Sequence, residues 1–303
     1  MGYDLIGDIH GHCAALISLL DQLGYTKEEG IYQHPEGRKV IFVGDYIDRG
    51  SQILETLALV KSMVDSGQAI ALMGNHEYNA ILFNAVAKSK GGYLREHSIK
   101  NIVQHYETLR QFKGQDDLYQ TYIDWFMTLP LFYENEAFRV VHACWDAQAI
   151  AYLTERLEGN LLKPTIFQDA VTKGTKAYHY LNNILKGKEL KLPQGLSFFD
   201  KDGFERRNTR IKWWLEPKGM QWNDYAISLS SPLPELVITT TEKAYGKGEK
   251  PVFFGHYWLK GIPELMSANA CCLDYSIAKG DKLVAYRWEG KPVLSVENFV
   301  WVE

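Results

Sequence analysis

The sequence predicts a layered α/β fold, and three observations carry that prediction. Short apolar runs at Tyr3 to Ile6, Val40 to Val43 and Gln68 to Met73 each close in a glycine-led loop: Gly7-Asp8-Ile9-His10-Gly11, Gly44-Asp45-Tyr46-Ile47-Asp48-Arg49-Gly50 and Gly74-Asn75-His76-Glu77. Between these runs, apolar residues recur at helical spacing, first Ala15, Leu16, Leu19, Leu20 and Leu23, then Leu54, Leu57, Ala58 and Val64. The resulting order of strand, glycine-rich loop, helix and strand is the repeat that builds a sheet covered by helices. With 303 residues the chain is long enough to bury a substantial core. We read residues 1–303 as a single domain with a substrate-shaping insertion at about 147–249.

Each element follows from a local signal. Gly24 stops the first helix, Ser51 is placed to cap the second, and Gly67 ends it. Residues 78 to 130 read as largely helical, with stretches at Glu77 to Ala87, Ser98 to Phe112 and Asp117 to Leu129. The aromatic stripe Tyr119, Tyr122, Trp125 and Phe126 is assigned to the core. Leu131 to Val141 reads as a hairpin around Glu134-Asn135-Glu136, delivering His142. Residues 147 to 249 form a long excursion of helical and loop patterns without a chemical motif. Within it, Asp200-Lys201-Asp202-Gly203 has part of a calcium-loop pattern but lacks the closing Glu, so it is read as a turn. Pro251 to Phe254 resumes the apolar runs and leads into Gly255-His256-Tyr257. The tail, with Leu273, Val284-Ala285-Tyr286 and Val293 to Val300, reads as a small β-meander.

Composition excludes several classes. Hydrophobic residues at 46%, charged residues at 23% and a net charge of −4 describe an ordinary globular chain with no nucleic-acid or polybasic membrane surface. No run of about 18 apolar residues marks a membrane span. The start has no basic n-region, and Ile6 stands where a myristoylation signal needs Ser or Thr. Cys13, Cys144, Cys271 and Cys272 lack metal-knuckle spacing, and the adjacent pair disfavours a disulfide framework. The expectation is a soluble cytoplasmic protein in a reducing compartment.

The chemistry lies in Asp8, His10, Asp45, Asn75, His142 and His256, each at or just beyond a strand-like run. Open sheets bind ligands outside the carboxyl ends of their strands, so these residues share one rim. Carboxylates, an amide oxygen and imidazoles suit Mn, Fe or Zn better than Ca or a thiolate metal. Six such side chains exceed the need of one catalytic ion. Two divalent ions bridged by Asp45 are the economical reading, and ions about 3.5–4 Å apart can activate a water and clamp a phosphoryl group. Asp48 is close enough to orient a neighbouring group, and Arg49 is a planar fork suited to phosphate oxygens. His34, His97, His105 and His179 have no such context and are assigned structural roles.

The three loops, together with Val141-His142 and Gly255-His256, resemble the five motifs of calcineurin-like metallophosphoesterases. The similarity is to the phosphoprotein phosphatase branch, which also contains bacterial diadenosine tetraphosphatases. It is dense over residues 1–77 and reduced to islands around His142 and His256. The resemblance implies a four-layer α/β/β/α sandwich with the metals between the sheets. It implies Asp8, His10 and Asp45 on one ion and Asp45, Asn75, His142 and His256 on the other, with manganese the first choice and iron or zinc the others. It also implies a bridging hydroxide as nucleophile, Arg49 gripping the phosphate, and His76 protonating the leaving group while Asp48 orients its ring. Trp258 stands where many diesterases place a further ligand His, and Ala143-Cys144-Trp145 replaces the usual Gly-Gly after His142. A second phosphate-binding Arg has no clear counterpart; Arg206, Arg207 and Arg210 are candidates, with Arg210 preferred. The expected activity is a metal-dependent phosphomonoesterase resembling Ser/Thr protein phosphatases, with a phosphoprotein or nucleotide as partner. The alternatives are a dinucleoside polyphosphate (diadenosine tetraphosphate) hydrolase and a non-catalytic metal-binding scaffold.

Overall fold

The computed structural model describes residues 2–87, 91–199, 204–227, 229 and 231–303. Strand β1 (Tyr3–Ile6) and helix α1 (Cys13–Gln22) precede a hairpin, β2 (Thr26–Glu28) and β3 (Ile31–Gln33), then β4 (Lys39–Phe42), α2 (Ile53–Asp65) and β5 (Ala69–Ala71). β1, β4 and β5 are parallel neighbours, with Leu5 opposite Ile41 and Ile41 opposite Ile70. Leu5, Ile6, Val40, Ile41 and Phe42 are fully buried, as parallel strands covered on both faces must be. Their common direction brings the three glycine loops to one rim.

Helix α2 is not capped by Ser51. Its cap position is Gln52, which makes no side-chain cap; that side chain instead accepts the Ala14 N–H at 3.0 Å and ties the starts of α1 and α2 together. The orphan N–H of Ile53 is taken by Gln111 Oε1 at 2.7 Å. A cap supplied from 58 residues away leaves no local trace.

Helices α3 (Asn75–Asn84), α4 (Ile99–Gln111) and α5 (Asp116–Phe126) occupy the expected helical region. Tyr122, Trp125 and Phe126 are buried core residues, while Tyr119 is half-buried and uses its hydroxyl in a polar contact. Strands β6 (Phe132–Glu134) and β7 (Arg139–Val141) form the expected hairpin. Beyond them come α6 (Ala147–Arg156), α7 (Phe167–Val171) and α8 (Lys176–Lys186), then β8 (Glu189–Lys191), β9 (Phe198–Phe199), β10 (Glu205–Arg206), β11 (Asn208–Ile211) and β12 (Ala226–Ile227). The excursion is therefore more than helix and loop: β8, β11 and β12 make a small antiparallel sheet in which Arg210 faces Glu189 and Ile227 across the register. Strands of two to four residues are too short for periodicity to reveal. The Asp200–Gly203 turn lies outside the described residues.

The last elements are β13 (Val252–Phe254), β14 (Ala270–Cys272), β15 (Asp274–Tyr275), β16 (Lys282–Trp288) and β17 (Phe299–Val302). β7, β13 and β14 are parallel, completing a four-stranded sheet with β6. The tail is the expected antiparallel meander, β15, β16 and β17 in chain order, but it does not stand apart. β16 lies antiparallel on β1, Ile6 opposite Ala285, and extends the first sheet to six strands. The edge of β1 left open by β4 requires such a partner. Leu5, Ile41, Val43 and Leu72 from the first sheet meet Phe138, Val140, Phe253 and Cys271 from the second in one buried cluster. Leu16, Leu20, Leu57 and Val60 of the helices belong to a second cluster. Among the described residues no helix is long and apolar enough to cross a membrane.

Candidate active site and metal centre

Two glycines let the site close. A Cβ on Gly74 would lie 2.2 Å from Asp45 Oδ1, and one on Gly255 would lie 1.9 Å from Asp8 Oδ1. Without them, the backbone N–H of His76 donates to Asp45 Oδ1 at 2.9 Å and that of His256 to Asp8 Oδ2 at 3.0 Å. His10, Asp45, Asp48, Arg49 and His256 all adopt positive φ, between 47° and 74°, a region disfavoured for residues with a Cβ. The Glu77 carboxylate supports this backbone by accepting N–H groups of Asp45 (2.9 Å), Tyr46 (2.8 Å) and Gly74 (3.0 Å). Burial and then the neighbouring Asp45 charge push Glu77 up to about 7. Its place in the third loop was visible in the sequence; its work as a backbone acceptor was not.

The imidazoles are oriented from behind. His10 Nδ1 donates to the Ile47 carbonyl at 2.8 Å and His142 Nδ1 to the Val43 carbonyl at 3.0 Å. Backbone carbonyls commonly set the tautomer of metal-ligating histidines in this way. Each Nε2 lone pair then faces Asp45 Oδ2, at 3.6 Å from His10 and 3.4 Å from His142. Asn75 Oδ1 lies 3.2 Å from His142 Nε2. In the neutral tautomer these are converging acceptors, which only a proton or a cation reconciles. Asp8 Oδ1, His10 Nε2 and His256 Nε2 are also buried without a hydrogen-bond partner, the condition expected of donor atoms kept for an ion. Two clusters share Asp45: His10, Asp45 and His76, and Asp45, His142 and His256, with the potential ligand atoms of each within 4.8 Å of one another. Asp8 is in neither cluster, although it lies beside His256.

Charge sorts the imidazoles. Burial, then the charge of His76, pushes His10 down to about 4; burial, then Arg210, holds His256 well below the usual imidazole range. Both offer lone pairs at neutral pH. Burial would raise Asp45, but His142 and His76 hold it well below the usual carboxylate range. Burial would lower His142, but Asp45 raises it on balance.

His76 is different. Its Nδ1 lies 2.5 Å from Asp48 Oδ2, and its Nε2 lies 3.9 Å from Asp45 Oδ2. Burial works against its charged form, yet Asp45 and Asp48 raise it to about 9. Asp48 itself stays ionised: burial is overcome by hydrogen bonds from His105 and His76. His105, assigned a structural role from its lack of context, is thus part of the site; its Nδ1 lies 2.8 Å from Asp48 Oδ1. Thr108 Oγ1 donates to the same oxygen at 2.6 Å, and Gln111 Nε2 reaches the Gly50 carbonyl at 3.1 Å. His105, Thr108 and Gln111 recur every third residue along α4, so they share a face. That polar stripe is the one signal the sequence offered.

Arg49 lies with its guanidinium 5.7 Å from the centre of the Trp258 ring, which Lys279 approaches to 4.1 Å. The Trp258 N–H is held by Asp274 Oδ2 at 2.7 Å. Asp274 is a buried carboxylate that burial pushes up to about 6. A cleft of about 1460 Å³ opens over Asp45, His76 and His256, and Arg49, Arg95, Lys186 and Arg210 line it. Arg210 buries an Nε without a hydrogen-bond partner and its charge depresses His256. Arg206, on the exposed strand β10, and Arg207, just past it, line the same cleft; Arg207 pairs with Glu205 at 3.5 Å.

Residues 2–147 match a family model described as calcineurin-like phosphoesterase. Over 76 residues the chain is 47% identical to an asymmetrical bis(5'-nucleosyl)-tetraphosphatase of Halalkalibacterium halodurans, covering 25% of this chain and 31% of that one. Over 296 residues it is 26% identical to a symmetrical bis(5'-nucleosyl)-tetraphosphatase of Methylobacillus flagellatus, covering 96% of this chain and 93% of that one. A solved protein serine/threonine phosphatase from Saccharomyces cerevisiae is similar with a TM-score of 0.52 at 13% identity, over 100% of this chain and 79% of that one, a likeness of fold alone. The chain spans less than a third of the length of the Halalkalibacterium relative, whose name describes that protein's activity.

Proposed function

Residues 2–147 belong to the calcineurin-like phosphoesterases, and from that premise we propose that the chain is a metal-dependent phosphoester hydrolase. One observation carries the proposal: an imidazole, His76, bonded to Asp48 at 2.5 Å, stands beside a convergence of partnerless ligand atoms around Asp45. A scaffold that only bound metal would have no use for the first half of that arrangement.

Asp8, His10 and Asp45 would hold one divalent ion, and Asp45, Asn75, His142 and His256 a second; manganese is the first choice, and iron or zinc suit the same donors. Bound there, the ions supply Lewis acidity and an activated water. Arg49 binds the phosphoryl oxygens through its fork, with Arg210 a second contact. His76 gives its Nε2 proton to the departing oxygen, and Asp48 holds the opposite Nδ1–H so that the ring keeps its orientation. Reading His76 as an acid rather than a ligand is supported by geometry: its Nδ1 is bonded to Asp48, and its Nε2 stands 3.9 Å from Asp45 Oδ2, farther than His10 at 3.6 Å or His142 at 3.4 Å.

The finer architecture we propose is the four-layer α/β/β/α sandwich, supported by the core shared between the two sheets. Residues 147–249 are read as a substrate-shaping insertion of the single domain, since Lys186 and Arg210 line the cleft from it. A reducing, cytoplasmic setting is supported by four buried free cysteines.

The substrate reading we put first is a phosphomonoester of the Ser/Thr phosphatase type. A second reading, a dinucleoside polyphosphate, is favoured by Arg95, Lys186 and Arg210, cations in excess of what one phosphoryl group needs, and by the names of the relatives. Manganese-loaded protein assayed on a phosphoserine peptide, diadenosine tetraphosphate and an aryl phosphate tests both. Turnover of none overturns the hydrolase; the ratio of kcat/KM between the first two decides the substrate.

A further inference from the structure

We propose that His105 is a positioning residue for the leaving-group proton: by holding the far oxygen of Asp48, it fixes the near oxygen, and with it the His76 ring.

The contacts around His105 fit one consistent assignment of protons. Asn84 Nδ2 donates to the Tyr119 oxygen at 2.9 Å, so the Tyr119 hydroxyl proton is left for His105 Nε2 at 2.7 Å. With Nε2 accepting, the His105 ring proton sits on Nδ1 and is donated to Asp48 Oδ1 at 2.8 Å. The Thr108 hydroxyl donates to the same oxygen at 2.6 Å, and its oxygen accepts the Asp48 N–H at 3.1 Å. Oδ1 therefore carries two donors, and Oδ2 is left facing His76 Nδ1 at 2.5 Å. His105 is 5% exposed and lies against the Phe83 ring at 5.4 Å, so it has little room to turn away. The support reaches α3 through Asn84 and α5 through Tyr119, joining three helices to one carboxylate. Asp48 needs it, because its backbone holds the disfavoured φ of 67°. Removing His105 leaves Thr108 alone on Oδ1, and the carboxylate can pivot about its Cβ–Cγ bond.

This inference rests on the reading of His76 as the general acid, and the experiment separates the two. His105→Leu, His105→Asn and the parent are compared by kcat on a phosphoserine peptide and on an activated aryl phosphate. The Asn amide carries an N–H at the same branch point as Nδ1, so it retains the donor. The expected result is a loss about tenfold larger on the alkyl ester than on the aryl ester for His105→Leu, a part of the usual general-acid contribution, with most of it recovered in His105→Asn. Proton NMR of metal-free, imidazole-15N-labelled protein reads the same contact without turnover. The downfield His76 Nδ1–H resonance should be sharp in the parent and in His105→Asn, and broadened or shifted upfield in His105→Leu. Should the leucine variant not fold, Tyr119→Phe must give the same changes in weaker form. An unaltered or absent resonance, equal losses on the two esters, or no recovery with Asn overturns the positioning role. A parent that turns over neither ester overturns the hydrolase reading, and the resonance still judges this one.

Discussion

The carboxylate of Asp8 accepts the backbone N–H of His256 at 3.0 Å, joining the loop after the first strand to a loop 248 residues later. One strand belongs to the six-stranded sheet and the other to the four-stranded sheet, so this bond draws two ligand-bearing rims together. It exists because residue 255 has no side chain. Gly255→Ala should separate the loops, since its Cβ would meet Asp8 Oδ1 at 1.9 Å. Loss of this hydrogen bond, typically about 0.5–1.5 kcal/mol, should lower Tm, and metal content should fall below that of the parent. Thermal unfolding and elemental analysis check it; parent-like values in both would contradict the geometry.

Asp45 is the member common to both ligand clusters. Asp45→Ala should reduce bound metal from two ions per chain and remove nearly all turnover. Elemental analysis decides the point. Two ions held as tightly as in the parent would show that Asp45 does not bridge.

The parts of this molecule that could be read from its sequence are those whose signal is local. The three glycine loops sit at strand ends because apolar runs and turn residues are adjacent in the chain; His10, Asp45, His142 and His256 fall in the two clusters, Asn75 lies against His142, and Asp8 touches the backbone of His256 without joining either cluster. What escaped reading depends on distant partners. β16 is part of the meander its neighbours suggested, but it is also the antiparallel partner of β1, and nothing near residue 285 says so. Ser51 looked like a cap, yet the Ile53 N–H is met by Gln111. His105 looked idle because its partner, Asp48, is 57 residues away. The strands β8, β11 and β12 were too short to show a period.

Arg49 should recognise phosphate by shape as well as charge. Arg49→Ala should weaken inhibition by inorganic phosphate, and Arg49→Lys should restore only part of it, because an ammonium cannot make two parallel bonds. Competitive inhibition constants for phosphate measure this. The same constant in all three proteins would leave Arg49 as a partner of Trp258 alone.

Lys186 gives the cleft a pH dependence of defined sign. Burial, followed by Arg95 and Arg210, lowers it to about 8. Its charge is present below that value and lost above it, so KM for an anionic substrate should rise as pH passes through about 8, with kcat less affected. Lys186→Gln should have the higher KM below that pH, approach the parent above it, and lose the rise. A parent profile that the substitution leaves unaltered would exclude Lys186 as its source.

The role of His76 can be separated from metal ligation by the leaving group. A phosphoserine ester must expel a strongly basic alkoxide unless a proton arrives, whereas an aryl phosphate with an electron-withdrawing ring expels a stable phenolate. General acid assistance is typically about 10²–10⁴-fold, so His76→Asn should lose a factor in that range on the alkyl ester and far less on the activated aryl ester. Asp48→Asn should show the same dependence in weaker form, because it removes the charge that holds the Nδ1–H but keeps the ring. A ligand would behave otherwise: the cluster of His10, Asp45 and His76 allows that reading, and its loss would damage both esters alike and release metal. The measurement is kcat on both esters at two ions per chain. Equal losses with metal retained would exclude proton donation, and equal losses with metal released would make His76 a ligand.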